Sequence, residues 1–258
     1  MFITTQELEK IYQDNSVLIL DARSYKDYSK AHIPGAVNLD LFSFHWADTS
    51  QKGLESFGQH MRKILSYAGV DENKKIIFYD DVTGMLAARG VWLCLYFSHP
   101  DVQMLDGGLS KWTRENFPTQ TESTIYKPSK LSTPTDPSII IGFEELEQSI
   151  DKVTIIDARS PDEFDGTIPR AARGGHIPTA INIDWNNNLD DIGKLKSDED
   201  LSSLYKMDKE SPIVTYCQGA YRAANSFLSL KKLEFKNVKV YLGSWGEWGN
   251  NLNLPIEK

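Results

Sequence analysis

Of the chain's two cysteines, Cys217 is the one set in a chemically suggestive frame. A short apolar run, Ile213-Val214-Thr215-Tyr216, leads into it behind Pro212, and Gln218-Gly219-Ala220-Tyr221-Arg222 follow. The run is too short for a helix and reads as a buried strand. From Ala223 onward, Ala223, Ala224, Phe227, Leu228 and Leu230 suit the buried side of a helix. The thiol therefore sits where a strand hands over to a helix. The first amides of a helix lack intrahelical acceptors and carry partial positive charge. A loop wound in front of them makes a cradle for an anion. A cysteine facing such a cradle is expected to be driven toward thiolate, the form that attacks electrophiles. Arg222 adds a full positive charge. The competing reading is a buried strand cysteine with no chemical role.

The elements that must hold this loop occur twice. Val17-Leu18-Ile19-Leu20-Asp21-Ala22-Arg23-Ser24 returns as Val153-Thr154-Ile155-Ile156-Asp157-Ala158-Arg159-Ser160. His32-Ile33-Pro34 returns as His176-Ile177-Pro178, and Ile76-Ile77-Phe78-Tyr79 answers Ile213-Val214-Thr215-Tyr216. Near the end of each copy, Gly107-Gly108-Leu109-Ser110-Lys111-Trp112 faces Gly243-Ser244-Trp245-Gly246-Glu247-Trp248. A period of half the chain is too long for a solenoid and implies two homologous domains in tandem. The expected boundaries are 1–119, a linker over 120–138 rich in Ser, Thr, Lys and Pro, and 139–258. In the first copy, helical pattern falls at 5–12, 54–68 and from 84; strands fall at 17–20, 76–79 and 102–105. In the second, a helix at 143–150 precedes strands at 153–156, 212–216 and 238–242. Strands alternating with helices predict an α/β fold, each domain a mostly parallel sheet with helices on both faces. Ligands of such sheets bind outside the carboxyl ends of the strands, where Cys217 lies.

The duplicate acts as an internal control. Where the second copy has Cys217, the first has Asp80, followed by Asp81 and a loop one residue longer. A carboxylate is a poor sulfur nucleophile and repels anions, so the first domain should lack the chemistry. From Asp21 to His32 is eleven positions, but from Asp157 to His176 is nineteen. The eight extra residues bring Arg170 and Arg173, which could bind an anion through bidentate hydrogen bonds. The plainer reading of that segment is a solvated surface loop. His32 and His176 precede Ile-Pro in both copies, including the one without a nucleophile, so they read as structural.

A net charge of −8 argues against nucleic acid or an anionic membrane as a standing partner. No secretory signal or membrane-spanning run is visible, and cytoplasm is the expected compartment. Cys94, inside the apolar run Val91 to Phe97, reads as core filling. No metal-ligand spacing, phosphate loop or dinucleotide fingerprint is present, so neither metal nor cofactor is expected.

The repeated Asp-Ala-Arg-Ser and His-Ile-Pro pieces, the Cys217 loop and Gly243-Ser244-Trp245 together resemble the rhodanese-like sulfurtransferases in their tandem-domain form, over about 4–255. The resemblance implies two rhodanese-like domains, the first inactive with Asp80 at the cysteine position. It implies that the Cys217 thiolate takes the outer sulfur of thiosulfate or 3-mercaptopyruvate and becomes a persulfide. Cyanide or a thiol, including a thioredoxin-like acceptor, then removes that sulfur. The amides from Gln218 through Gly219, Ala220 and Tyr221 to Arg222 would stabilise the persulfide. Arg170 or Arg173 would hold the donor, and Tyr79 would face the pocket. The loop itself departs from the family. It matches neither the doubly basic loop of the thiosulfate enzymes nor the Gly-Ser-Gly loop of the mercaptopyruvate enzymes, and it ends in Arg where both end in Thr. Thiosulfate is the favoured donor, because a small dianion suits Arg222 plus one upstream arginine. A cysteine phosphatase is disfavoured, since its loop holds five residues between Cys and Arg and this one holds four. A non-enzymatic sulfur-sensing module is the third reading.

Overall fold

The computed structural model describes residues 1–258. The first half contributes β1 (Phe2–Ile3), α1 (Thr5–Glu9), β2 (Val17–Asp21), α2 (Tyr25–Tyr28), β3 (Val37–Asn38), α3 (Gln51–Tyr67), β4 (Lys75–Tyr79), α4 (Met85–Tyr96), β5 (Val102–Leu105) and α5 (Gly108–Arg114). The second contributes β6 (Ile140–Ile141), α6 (Phe143–Glu147), β7 (Thr154–Asp157), α7 (Pro161–Phe164), β8 (Ile181–Asn182), α8 (Asp198–Leu204), β9 (Ile213–Tyr216), α9 (Tyr221–Lys232), β10 (Val238–Tyr241) and α10 (Ser244–Trp248). They build two five-stranded sheets, ordered β1-β5-β4-β2-β3 and β6-β10-β9-β7-β8. Every strand pair is parallel. The central strands are largely apolar and buried, as expected of strands in a parallel sheet packed by helices. In β9 all four residues are buried. The two-residue strands β1, β3, β6 and β8 are too short to leave a periodic signal.

The repeated motifs are framework. Arg23 pairs with Asp21 and donates to the Ala31 carbonyl; Arg159 pairs with Asp157 and donates to the Gly175 carbonyl. Each pair thus ties the end of a strand to the segment carrying the His-Ile-Pro motif. His32 stacks on Tyr28 and bonds its carbonyl; His176 stacks on Phe164 and bonds its carbonyl. The serines of the same motifs cap α2 and α7.

The compact units are not contiguous in sequence. One comprises 1–44, 58–136 and 189–195, the other 45–57, 137–188 and 196–258. The expected linker belongs mainly to the first unit, where His32 and Gln120 exchange backbone hydrogen bonds and Tyr28 Oη accepts from Thr124 N. Segment 45–57 belongs with the second unit because Thr49 is anchored there. Its amide and hydroxyl both donate to the Glu247 carboxylate, and its hydroxyl accepts from the Phe143 amide. Tyr241 Oη donates to the same carboxylate. Burial raises the Glu247 pKa, and the donors around it pull the other way.

Candidate active site

β9 is the central strand of its sheet, and Cys217 is the residue immediately after it. α9 begins at Tyr221, two residues earlier than its apolar pattern suggests, so Arg222 lies in its first turn. Ala220 closes the loop in the left-handed conformation, with φ 67°. That conformation costs a non-glycine residue about 1 kcal/mol and makes the tight turn. The last helix holds the loop from behind. Ser244 Oγ accepts from Cys217 N, while Trp245 N and Gly246 N donate to the carbonyls of Cys217 and Gln218. A Cβ on Gly246 would lie 2.8 Å from the Gln218 carbonyl, which explains the glycine in that motif.

Cys217 is only 1 % exposed. Its polar neighbour is Arg222. Burial disfavours the Arg222 charge, but its hydrogen bonds to Glu163 and its interaction with the Cys217 side chain outweigh it, and its pKa rises. Glu163 grips this guanidinium with both oxygens, Nη1 to Oε2 at 2.5 Å and Nη2 to Oε1 at 2.9 Å. Burial would raise the Glu163 pKa; Arg222 overrides it and holds it down to about 2.

The two inserted arginines do different jobs. Arg170 is half-exposed, with Nη1 3.5 Å from Glu163, and its carbonyl accepts from Gln218 Nε2. It borders the loop. Arg173, the other candidate for holding the donor, is bound differently. Its guanidinium donates to the carbonyls of Gly249, Leu254, Trp248 and Asn251, so its donors are spent on the chain's own backbone. Tyr79, expected at the pocket, has this placement. It is fully buried in the first unit's core, and its hydroxyl accepts from Ile33 N. Tyr216 makes the same bond to Ile177 N, so this tyrosine is a framework residue in both copies.

Three neighbours of the loop escape sequence reasoning. Glu163 lies 59 positions from Arg222; only its place three residues after Ser160 marks it, as half of a capping box. His45 reaches the loop from the exchanged segment. Its ring centroid is 5.0 Å from that of Tyr221, and a Cβ on Gly219 would lie 2.8 Å from its Cδ2. Asp184 is half-buried; desolvation raises its pKa against the pull of Asn186 and Arg222.

At the matching position of the first unit, Asp80 fills its own loop. Its Oδ1 accepts from Val82 N and Gly84 N, its Oδ2 from Leu86 N and Ala87 N. Burial pushes its pKa up to about 6 despite these four donors. The other thiol, Cys94, is fully buried in α4, and burial drives its pKa well above the usual thiol range. No group of three or more His, Cys, Asp or Glu side chains is placed to hold a metal ion. No helix is long and apolar enough to cross a membrane.

The profile of the Rhodanese-like domain family matches residues 4–115 and 143–251. The chain is 34% identical over 247 residues to a "Putative thiosulfate sulfurtransferase" of Mycolicibacterium smegmatis, covering 89% of this chain and 87% of that protein. It is 31% identical over 277 residues to the "Sulfur carrier protein TtuD" of Thermus thermophilus, covering 100% of this chain and 96% of that one. Among solved structures it resembles the 3-mercaptopyruvate sulfurtransferase SseA of Escherichia coli, with TM-score 0.80 and 26% identity over 95% of this chain and 98% of that chain.

Proposed function

The chain belongs to the rhodanese family and is a sulfurtransferase with two rhodanese-like domains, and from that premise we propose that it works through a persulfide on Cys217, with thiosulfate as donor. The Cys217 thiolate attacks the outer sulfur of thiosulfate. A bond forms between the two sulfurs while the bond to the sulfonyl sulfur breaks, its electron pair leaving with sulfite. The persulfide keeps one negative charge, and the amides at the start of α9 and the Arg222 guanidinium offset it. A thiophilic acceptor then attacks the outer sulfur and releases the thiolate; cyanide leaves as thiocyanate, and a low-molecular-weight or thioredoxin-like thiol leaves as its own persulfide. No cofactor enters this cycle. The first domain, with Asp80 in place of a thiol, takes no sulfur.

One observation carries the reading: the second unit's loop sets a thiol and an arginine together at the start of α9. The depth of the sulfur supports a slender donor, since only a narrow end such as the outer sulfur of thiosulfate reaches it. Arg170, at the border of the loop, is the side chain left to meet the donor's oxygens. The likeness to SseA makes 3-mercaptopyruvate the second donor to test. Thiocyanate formation from thiosulfate and cyanide is the assay. Activity with thiosulfate, lost in Cys217→Ser, is expected; full activity of that variant would overturn the mechanism. Turnover of mercaptopyruvate alone would replace the donor.

A further inference from the structure

Arg222 is held on two sides. It interacts with the Cys217 side chain, and two parallel hydrogen bonds, 2.5 and 2.9 Å, run from its guanidinium to Glu163. The Arg222 and Glu163 side chains are only 13% and 7% exposed. A bidentate fork fixes the plane of a guanidinium as well as its distance, which a single hydrogen bond does not. Glu163 is anchored in turn. Its amide donates to Ser160 Oγ and its carboxylate accepts from the Ser160 amide and hydroxyl, the capping box of α7. A chain of contacts thus runs from the start of α7, through a carboxylate and a guanidinium, to the sulfur. Arg170 reaches the same carboxylate only at 3.5 Å with its side chain 53% exposed, a much slacker hold. The duplicate lacks both halves of the fork. Three residues after its capping serine stands Asp27, one methylene shorter and bonded to Ser24 and Lys30. The second residue of its α4 is Leu86, where α9 has Arg222.

We propose that Glu163 is a positioning residue for sulfur transfer: by gripping Arg222 with both oxygens it holds the guanidinium beside the Cys217 sulfur, where that cation stabilises the thiolate and the persulfide that replaces it. This rests on the reading that Cys217 carries the sulfur. An arginine left to itself samples many rotamers and is in place for only part of the time. The fork removes that freedom before any donor arrives, so the cation is already aimed when charge moves onto the sulfur. Glu163 carries no sulfur itself and acts through Arg222.

Glu163→Gln keeps the length and can keep the capping box, but it cannot offer two acceptors to the fork. Glu163→Asp keeps the charge and draws it back by one methylene; Asp27 shows that an aspartate at this place supports the helix start. In single-turnover runs followed by intact mass, both variants should load sulfur from saturating thiosulfate at least about tenfold more slowly, while the concentration giving half the maximal rate changes by less than about threefold. In an Arg222→Ala background, Glu163→Gln should slow loading further by less than about twofold, because its effect passes through the missing arginine. Iodoacetamide labelling of Cys217 separates positioning from a loosened fold. Loss of the aimed counter-charge should slow labelling about fivefold at pH 7, since the thiolate is the reacting form. Loosening would instead uncover a residue only 1 % exposed and speed it. Native loading rates in either folded variant, labelling that is not slowed, or full additivity with Arg222→Ala overturns the proposal. Labelling needs no sulfur donor, so the two readings fail separately. Native protein that takes up no sulfur refutes the persulfide, whereas normal loading by the Glu163 variants refutes the positioning role alone.

Discussion

The Cys217 and Asp80 loops are one backbone device with two fillings. In each, a central parallel strand ends, a short loop turns, and a helix N-terminus offers amides that lack an intrahelical acceptor. Each loop is clamped from behind by the helix after the next strand: Leu109 N and Ser110 N donate to the carbonyls of Asp80 and Asp81, as Trp245 N and Gly246 N do to those of Cys217 and Gln218. In the first unit a carboxylate consumes the amides, four hydrogen bonds closing the cradle on itself. In the second, a thiol sits there and an arginine is brought up beside it. The cradle is thus a property of the fold, and on the proposed mechanism reactivity is a property of one side chain and its counter-ion.

Exchanging the fillings gives the largest effect. Cys217→Asp should fold, because the homologous loop accommodates this carboxylate, and should lose at least about a thousandfold of sulfurtransferase activity. The reverse change, Asp80→Cys, should create no second active site. That loop keeps Asp81 at its mouth, and Arg89 lies further along its helix at the matching sequence region. Measurable persulfide on residue 80 would show that the cradle alone suffices, and would break the comparison.

The two inserted arginines separate structure from binding. Arg173→Ala removes a guanidinium that satisfies four carbonyls, and should cost about 2–3 kcal/mol in urea unfolding. Arg170→Ala should leave stability within about 0.5 kcal/mol and raise the KM for thiosulfate severalfold. Equal stability losses would erase the distinction.

A smaller effect separates the two buried carboxylates by sign. Glu163 has a folded pKa near 2 against an ordinary 4.5, so its stabilisation is complete above 4.5 and fades as pH falls toward 2. Asp80 has a folded pKa near 6 against 3.8, so stability is lost as pH rises from about 3.8 through 6. Denaturation midpoints followed across pH should therefore lose their acid limb in Glu163→Gln and the limb between about 4 and 6 in Asp80→Asn, each by about 1–2 kcal/mol. A side-chain carboxyl NMR titration of Asp80 centred below pH 4 would contradict the second.

The parts legible in sequence are those written in adjacent residues. Central strands show as apolar runs, and the duplication shows in Asp-Ala-Arg-Ser and His-Ile-Pro, which are compact local frameworks. The Cys217 loop is legible because strand, turn and helix follow one another within ten residues. What sequence could not reveal is pairing across distance. Nothing near Arg173 says that its donors go to carbonyls at 248–254, and an arginine bound to backbone looks in sequence like one waiting for an anion. Tyr79, which the family resemblance sets at the pocket, spends its hydroxyl on Ile33 N, a pairing no local pattern announces. The Glu163–Arg222 fork and the placing of segment 45–57 against unit two are likewise tertiary facts with no local pattern.

Intact mass of the native protein after incubation with thiosulfate and removal of small molecules tests the central claim most directly. The protein should gain the mass of one sulfur atom, located on Cys217 by peptide mapping, and return to its starting mass on addition of cyanide. No gain from thiosulfate or from mercaptopyruvate, or a gain located on Cys94, would contradict it.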